Sequence, residues 1–192
     1  MEASPWDTAP RYLLRDRDAI YGHYFRSRIT GMSIDEVPIA AQEEVLIMKT
    51  TTFDSIMVGD ALEPVVRSVT QETFWKFSVA SLDYNPVHND QEWVKTAQPF
   101  GIDQTVGHGM MTIAFMMSVV SNWAYPLMLM IRKSESRLIF PVLAGWTVTC
   151  TGIIAEKHVI CPGKDFVVID LEAKNQDGQL LGVCKAEVVF PD

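Results

Sequence analysis

The chain has 192 residues, enough for one well-buried domain with an appended segment, and 48% of them are hydrophobic, as in ordinary globular proteins. A formal net charge of −8 argues against a nucleic-acid partner, because nucleic-acid binding relies on a basic surface. The first residues lack the basic start and apolar run of a signal peptide. Three cysteines, Cys150, Cys161 and Cys184, lack metal-ligand spacing and suggest reduced core thiols. We therefore expect a cytoplasmic protein.

Residues 1–49 are expected to form an N-terminal extension to a domain that spans residues 50–192. Pro5 and Pro10 indicate an irregular start, and arginine and tyrosine side chains are mixed through residues 11–28. We favour an extension that packs against its own domain or a partner subunit. The alternative is that its arginines contact phosphate groups of a ligand, since arginine pairs well with phosphate.

The first part of the expected domain predicts extended structure followed by helices. Residues 53–69 read as extended, and Pro64 suggests an edge strand or a bulge. Thr70 is a plausible N-cap of a helix that runs to about Leu82. A short helix is predicted over residues 91–97.

The first motif is Ser81–Asp90, Ser-Leu-Asp-Tyr-Asn-Pro-Val-His-Asn-Asp. On one helix, Asp83 and His88 would lie about 140° apart around the axis. Pro86 pushes Asn85 into an extended conformation, which predicts a bent loop that can bring the two side chains together. A carboxylate and an imidazole facing one small space can bind a water and move protons.

Asn85 lies between these two titrating groups, where its amide can fix the loop or orient a ligand. The alternative is an Asx-type turn that caps the following helix, with His88 merely hydrogen-bonded. We favour the functional interpretation because a second motif, Gly107-His108-Gly109, follows about twenty residues later.

Gly109 is expected at or just before the first turn of a buried helix that runs from Met110 to about Tyr125. Amides of an opening turn have no partner inside the helix and carry the positive end of its dipole. Glycine lets a carbonyl oxygen approach its amide closely, and one oxyanion donor is typically worth about 3 kcal/mol. By itself, such a glycine would more simply start a helix. The apolar run to Ile131 is long enough for a membrane span, but its polar residues favour a buried helix.

The C-terminal part predicts long strands over residues 146–160, 166–173 and 179–190. Turns are predicted at residues 161–163 and 175–178. After the helix, strand-like sequence is recognised again only from Trp146. This pattern alone establishes an α+β fold.

Asp83-Tyr84-Asn85-Pro86-Val87-His88, together with Gly107-His108-Gly109-Met110-Met111-Thr112, resembles the MaoC-like dehydratase family. Members of this family include the (R)-specific enoyl-CoA hydratases, also called hydratase 2. The similarity extends from residues 53–60 to the end of the chain. It implies a hot-dog fold, in which an antiparallel β-sheet wraps around a long buried central helix.

The resemblance also implies a reaction, the reversible addition of water across the C2–C3 double bond of a 2-enoyl thioester to give an (R)-3-hydroxyacyl product. The implied acid/base pair grips the water, and a backbone amide polarises the thioester carbonyl. The implied catalytic residues are Asp83, His88 and Gly109, and the implied substrate-binding residues are Asn85, His108 and Met110. No metal and no redox cofactor are implied. The substrate is a thioester of CoA or of acyl carrier protein.

Several points follow for substrate and assembly. The family usually has glycine where this chain has Leu82, which is expected to reshape the acyl pocket or change the angle of the loop. Methionines of the helix region are either core or an adaptable acyl pocket. The candidate pocket methionines are Met110, Met111, Met116, Met117, Met128 and Met130. A polyanionic CoA needs a local basic cluster, which net charge does not reveal.

A single hot-dog sheet leaves an edge and an apolar face open, so we expect a homodimer or a dimer of dimers with the acyl tunnel near the interface. We expect no nucleic-acid partner and no membrane association. Two alternatives stay open. A hot-dog thioesterase accounts for Asp83 but leaves His88 and Asn85 without clear roles. A non-catalytic acyl-thioester-binding subunit has no need of an acid/base pair.

Overall fold

The computed structural model describes residues 12–15, 35–38, 52–127 and 129–191. The chain divides into two units, Met1–Lys49 and Thr50–Asp192. In the first unit, strand β1 (Tyr12–Arg15) pairs in parallel with strand β2 (Asp35–Pro38). Arg17, Arg26 and Arg28, for which a phosphate contact is the alternative interpretation, and Met128, a candidate pocket residue, lie outside the described residues.

The second unit contains a five-stranded sheet in which every neighbouring pair is antiparallel. Its strands are β3 (Ala61–Ser68), β4 (Met130–Leu138), β5 (Thr147–His158), β6 (Phe166–Lys174) and β7 (Leu180–Val189). The order across the sheet is β3-β5-β6-β7-β4. Strand β3 lies at an edge, and its register with β5 shifts between Leu62 and Val65. Because Pro64 donates no backbone hydrogen bond, an edge with a bulge suits it, and this prediction is confirmed.

Within the described residues, four α-helices accompany the sheet: α1 (Gln71–Ser81), α2 (Pro86–Asn89), α3 (Gln91–Ala97) and α4 (Gly109–Ala124). Helix α1 begins where the sequence predicts. The Thr70 hydroxyl accepts a hydrogen bond from the Thr73 amide at 3.3 Å, and the Thr73 hydroxyl accepts one from the Thr70 amide at 3.1 Å. These bonds satisfy amides that have no partner inside the helix, so the predicted N-cap is confirmed.

Helix α4 packs one face against the sheet, where Met111, Met116 and Val119 are buried in the core. On β5, a side chain at Gly152 would lie 2.9 Å from Leu171 and 3.2 Å from Val119. The missing side chain therefore lets the helix approach the sheet closely. A long helix buried against an antiparallel sheet agrees with the fold expected from the sequence. Within the described residues, no helix has both the length and the apolar character needed to cross a bilayer.

Strand β4 was missed in the sequence. All nine of its residues are exposed, and its register places Ser134 opposite Ala186 and Ser136 opposite Cys184. The serines therefore share a sheet face with buried residues of β7, where a strand prediction needs apolar side chains. Hydrogen bonding to β7 therefore holds this edge strand, although its sequence lacks the apolar alternation by which strands are predicted.

The cysteines do not share one environment. Cys150 and Cys184 are buried, as expected for core thiols, but Cys161 lies exposed in the connection between β5 and β6. Burial raises the pKa of the Cys150 thiol to about 11 and also raises that of Cys184. The prediction of a core thiol is therefore wrong for Cys161, because it lies in an exposed connection rather than on a strand that packs in the core.

Candidate active site

Helix α1 ends at Leu82, which adopts φ 60° and ψ 22°, the left-handed conformation. Glycine is common at this position of a helix end because its missing Cβ removes the steric penalty. The left-handed conformation gives a physical reason why the family that the motifs resemble usually has glycine at this position. The Leu82 side chain is 77% exposed and does not line the cavity described below. Leucine at this position therefore affects the conformation of the turn and does not form part of the cavity wall.

The next turn is fixed by its own side chains. Asp83 Oδ1 accepts a hydrogen bond from the Asn85 amide, and Asn85 Oδ1 accepts one from the Val87 amide, both at 3.2 Å. Asn85 is thus the N-cap of α2, and Pro86 is the first helical residue, a position that suits proline. The bent loop ends at Asn85, and His88 lies on a one-turn helix rather than in the loop. The proline that we expected to exclude a helix instead begins one.

This turn brings the predicted pair together, with His88 Nε2 lying 3.9 Å from Asp83 Oδ2. His88 Nδ1 lies 2.7 Å from the carbonyl oxygen of Val106. Because a carbonyl only accepts, Nδ1 donates the proton, and Nε2 faces the carboxylate as an acceptor. The separation exceeds a hydrogen bond. Two hydrogen-bond acceptors, His88 Nε2 and Asp83 Oδ2, therefore face one gap. The Asp83 side chain is half-exposed, whereas the His88 side chain is largely buried.

Burial lowers the pKa of His88 below its ordinary value of 6.5. The hydrogen bond to the Val106 carbonyl opposes this effect, electrostatic repulsion from the neighbouring His108 imidazole adds to it, and the Asp83 carboxylate opposes it. The neutral imidazole therefore persists further into acid than that of an exposed histidine.

Gln71, the first residue of α1, binds the backbone of His88, and this role was not predicted from the sequence. Its Nε2 donates to the His88 carbonyl oxygen at 2.8 Å, and its Oε1 accepts a hydrogen bond from the Thr105 hydroxyl. One side chain thus ties α1 both to α2 and to the segment before α4. Its position at a helix start offers no signal of this role, because the contacts exist only in the folded chain.

The second motif begins α4, with His108 at the N-cap position and Gly109 as the first helical residue. The predicted helix start is confirmed. The Gly109 amide is one of the opening amides without a partner inside the helix. A side chain on Gly109 would lie 2.5 Å from Leu138 Cδ1, so glycine leaves this amide approachable beside the Leu138 side chain.

His88 and Gly109 line the same cavity, whose volume is about 290 Å³. The wall consists of His88, Phe100, Val106, Gly107, Gly109, Thr112, Leu138, Ile139, Phe140 and Pro141. Apart from His88 and Thr112, these side chains are apolar, which suits an acyl chain. The walls formed by Phe100 and residues 138–141 were not recognised in the sequence. None of the candidate methionines within the described residues lines this cavity, and Met111 and Met116 belong to the core.

The structure places His108 and Met110 away from this cavity wall. His108 is 2% exposed and lies behind His88, with ring centroids 3.6 Å apart. Met110 is 64% exposed on the surface of α4. Neither occupies the substrate-facing position that the resemblance implies.

Asp83, His88 and His108 can each offer a ligand atom, and these atoms lie within 4.8 Å of one another. However, the two imidazole planes are stacked at 23°. Because imidazole nitrogens bind metal through lone pairs in the ring plane, stacked rings direct them nearly parallel rather than toward one ion. The cluster therefore suits proton transfer better than metal coordination.

Basic side chains do not gather at the cavity. No lysine or arginine among the described residues contributes to its wall. Lysines elsewhere pair with carboxylates, including Lys76 with Glu72 at 2.8 Å and Lys133 with Glu135 at 2.7 Å. The basic cluster expected for CoA phosphates is therefore not part of this wall.

The fold and the paired motifs define a hot-dog domain with a candidate acid/base site. A family model described as "MaoC like domain" matches residues 55–176, and the chain belongs to this MaoC-like dehydratase family. The resemblance inferred from the two motifs is thus confirmed. A comparison with curated proteins found no match.

Solved structures share the fold. The unliganded R-hydratase PhaJ1 from Pseudomonas aeruginosa superposes with a TM-score of 0.63 at 23% identity, covering 73% of this chain and 85% of that one. An (R)-hydratase from A. caviae involved in PHA biosynthesis gives 0.63 at 19% identity, covering 71% and 98%. The HadBC (3R-hydroxyacyl-ACP dehydratase) complex from Mycobacterium tuberculosis gives 0.57 at 20% identity, covering 70% and 97%. The expected hot-dog fold is confirmed.

Proposed function

We propose that this protein is a hydro-lyase that adds water reversibly across the C2–C3 double bond of a 2-enoyl thioester to give the (R)-3-hydroxyacyl thioester. The observation that carries the proposal is the meeting of His88, with Asp83 beside it, and Gly109 at one apolar cavity. Membership of the MaoC-like dehydratase family supports the reaction class.

The gap between Asp83 and His88 suits one water. A water that donates a hydrogen to each of two acceptors at about 2.8 Å separates them by about 4.4 Å, close to the observed 3.9 Å. Both water hydrogens are then bound, and the oxygen lone pairs remain free to attack C3. As the oxygen bonds to C3, one acceptor takes a water proton, and the pair returns a proton to C2.

Addition at C3 moves negative charge through C2 onto the thioester oxygen. The Gly109 amide can donate to that oxygen, and the positive end of the α4 dipole favours the charge that develops there. The apolar walls of the cavity would bind the acyl chain and exclude bulk water. This division of labour needs no group beyond the side chains and amides described, and the absence of a cofactor remains a prediction.

Assembly, substrate carrier and location are also predictions. All nine residues of the edge strand β4 are exposed, which supports a second copy that covers this edge. A homodimer or dimer of dimers is therefore expected. The choice between CoA and acyl carrier protein, and the cytoplasmic location, stay as the sequence predicts them.

The test is turnover of a short panel of 2-enoyl-CoA substrates, followed by loss of the conjugated thioester absorbance. Asp83→Asn and His88→Ala should each lower kcat/KM by about 10² or more, because the first replaces a carboxylate that can take a proton with a neutral amide and the second removes the imidazole. His158→Ala is the matched control, since His158 is a histidine on the outer sheet face that pairs with Glu156 and stacks on Phe166. Wild-type turnover that survives in both site variants would contradict the proposed roles.

A further inference from the structure

His108 is a buried histidine that the mechanism above does not use. Its ring lies between two others, 3.6 Å from the His88 centroid and 4.9 Å from the Phe77 centroid. It is 2% exposed and does not line the cavity, so it is not placed to touch a substrate.

The hydrogen bonds of His108 define its proton. Nε2 lies 3.1 Å from the backbone oxygen of Asp83 and 3.1 Å from Ser78 Oγ. Because a carbonyl only accepts, Nε2 carries the hydrogen and donates it. Nδ1 is buried and finds no partner among the described residues. A proton on Nδ1 would be buried without an acceptor, so Nε2 is the nitrogen through which this ring donates.

The same cluster links three elements. Asn89, at the end of α2, donates from Nδ2 to Ser78 Oγ at 2.7 Å, and Ser78 lies on α1. His108 at the start of α4 joins this network and reaches the Asp83 carbonyl. The backbone of Asp83 is thereby hydrogen-bonded to His108, at the start of the helix whose first residue is Gly109. The contacts are directional, so they fix both position and orientation.

We infer that His108 is a positioning residue that acts through two separable contacts. Its Nε2–H bond to the Asp83 carbonyl fixes the turn that aims the carboxylate at His88. Its ring face covers one side of the His88 imidazole and keeps water away from that side. This inference rests on the proposed function, because it assigns His108 to the support of the same acid/base pair.

The two contacts affect different measured quantities. Loss of the donor releases the Asp83 turn, and small misplacements of a catalytic group can cost a large factor in rate. Loss of the ring exposes His88 to water, and since burial is what lowers the pKa of His88, that pKa should rise toward 6.5. The titratable groups that face His88 are Asp83, from the turn after α1, and His108 itself.

Two substitutions separate the contacts. His108→Phe keeps an aromatic ring against His88 but removes the donor. His108→Gln keeps an N–H donor but removes the ring. His158→Phe and His158→Gln are the matched controls, because His158 also stacks on an aromatic ring, Phe166, but lies on the outer sheet face.

The experiment measures kcat and KM on a 2-enoyl-CoA and titrates the His88 ring protons by NMR, with a thermal scan of each variant. His108→Phe should lower kcat about tenfold or more, with KM within about twofold and a smaller rise in the pKa of His88 than His108→Gln gives, because the ring still buries His88 and only the electrostatic contribution of His108 is lost. His108→Gln should keep kcat above pH 7 within about threefold, while the pKa of His88 and the acid limb of the rate profile both rise.

Two results would contradict a positioning role for His108, and each points to a different alternative. A raised KM with unchanged kcat in both variants would make His108 a substrate contact, and unchanged kcat and unchanged His88 titration would make it only a filler of space. If wild-type protein hydrates no substrate, the proposed function fails, and the titration alone then decides the inference. If His108→Phe does not fold, His108→Gln still tests the inference, because its kcat above pH 7 should be kept while the acid limb of its rate profile moves to higher pH.

Discussion

Because Leu82 at the end of α1 is left-handed, we predict that glycine at this position gives a more stable protein than alanine. This is the reverse of the order expected inside a helix. Leu82 has φ 60°, and this conformation costs a residue with a Cβ roughly 1–2 kcal/mol. Glycine avoids that cost but loses more conformational freedom on folding, by roughly 0.5–1 kcal/mol relative to alanine. Leu82→Gly should therefore be more stable than Leu82→Ala by about 0.5–1 kcal/mol.

Comparing glycine with alanine removes the leucine side chain in both variants, so its packing cancels. Val79 is the control because it is partly exposed within α1. At Val79 the usual order applies, and glycine should be less stable than alanine by about 1 kcal/mol. For a chain of this size, 1 kcal/mol shifts Tm by roughly 2–4 °C, which urea and thermal unfolding resolve. Alanine more stable than glycine at both positions would refute a strained helix end at Leu82.

Three further predictions concern the site and the thiols. Gly109→Ala should lower kcat/KM by about tenfold in the hydration assay, because Leu138 must move aside and the new Cβ crowds the approach to an amide that is itself retained; wild-type kinetics would contradict this. Because the pKa of His88 is lowered on folding, the unfolded chain takes up its proton first, so this group's contribution to stability is lost as pH falls below 6.5. Urea unfolding of wild type and His88→Ala should therefore converge in acid, and a constant difference would contradict the assignment. A thiol reagent should modify Cys161 alone in the folded protein, as mass spectrometry can show, whereas rapid labelling of Cys150 would be inconsistent with its burial.

Local chemistry explains which elements the sequence predicts correctly. Thr70 offers a side-chain cap, Pro64 excludes a central strand, and the apolar run after Gly109 requires a buried helix. Each signal acts within a few residues of the element it defines. The two motifs likewise predict the meeting of Asp83 and His88, because the turn between them is fixed by its own side chains.

Features that depend on distant contacts were not predicted. Strand β4 forms by hydrogen bonding to β7, and its inward serines give no apolar alternation. The cavity wall at residues 138–141 and the bonds of Gln71 join segments far apart in the chain. His108 and Met110 follow Gly107 in one motif, yet one is buried and the other exposed. Neighbours in sequence share a motif without sharing a direction, and only packing decides which of them faces the cavity.

The most direct test of the central claim is to identify the product formed from a 2-enoyl-CoA by wild-type protein. Chiral analysis of the acyl group and a free-thiol assay on the same reaction distinguish attack at C3 from attack at the carbonyl carbon. The proposed function predicts the (R)-3-hydroxyacyl thioester with no thiol released, and loss of that product in Asp83→Asn. Released thiol would instead identify a thioesterase, and no turnover of any thioester would contradict the assignment of Asp83 and His88 as a catalytic pair.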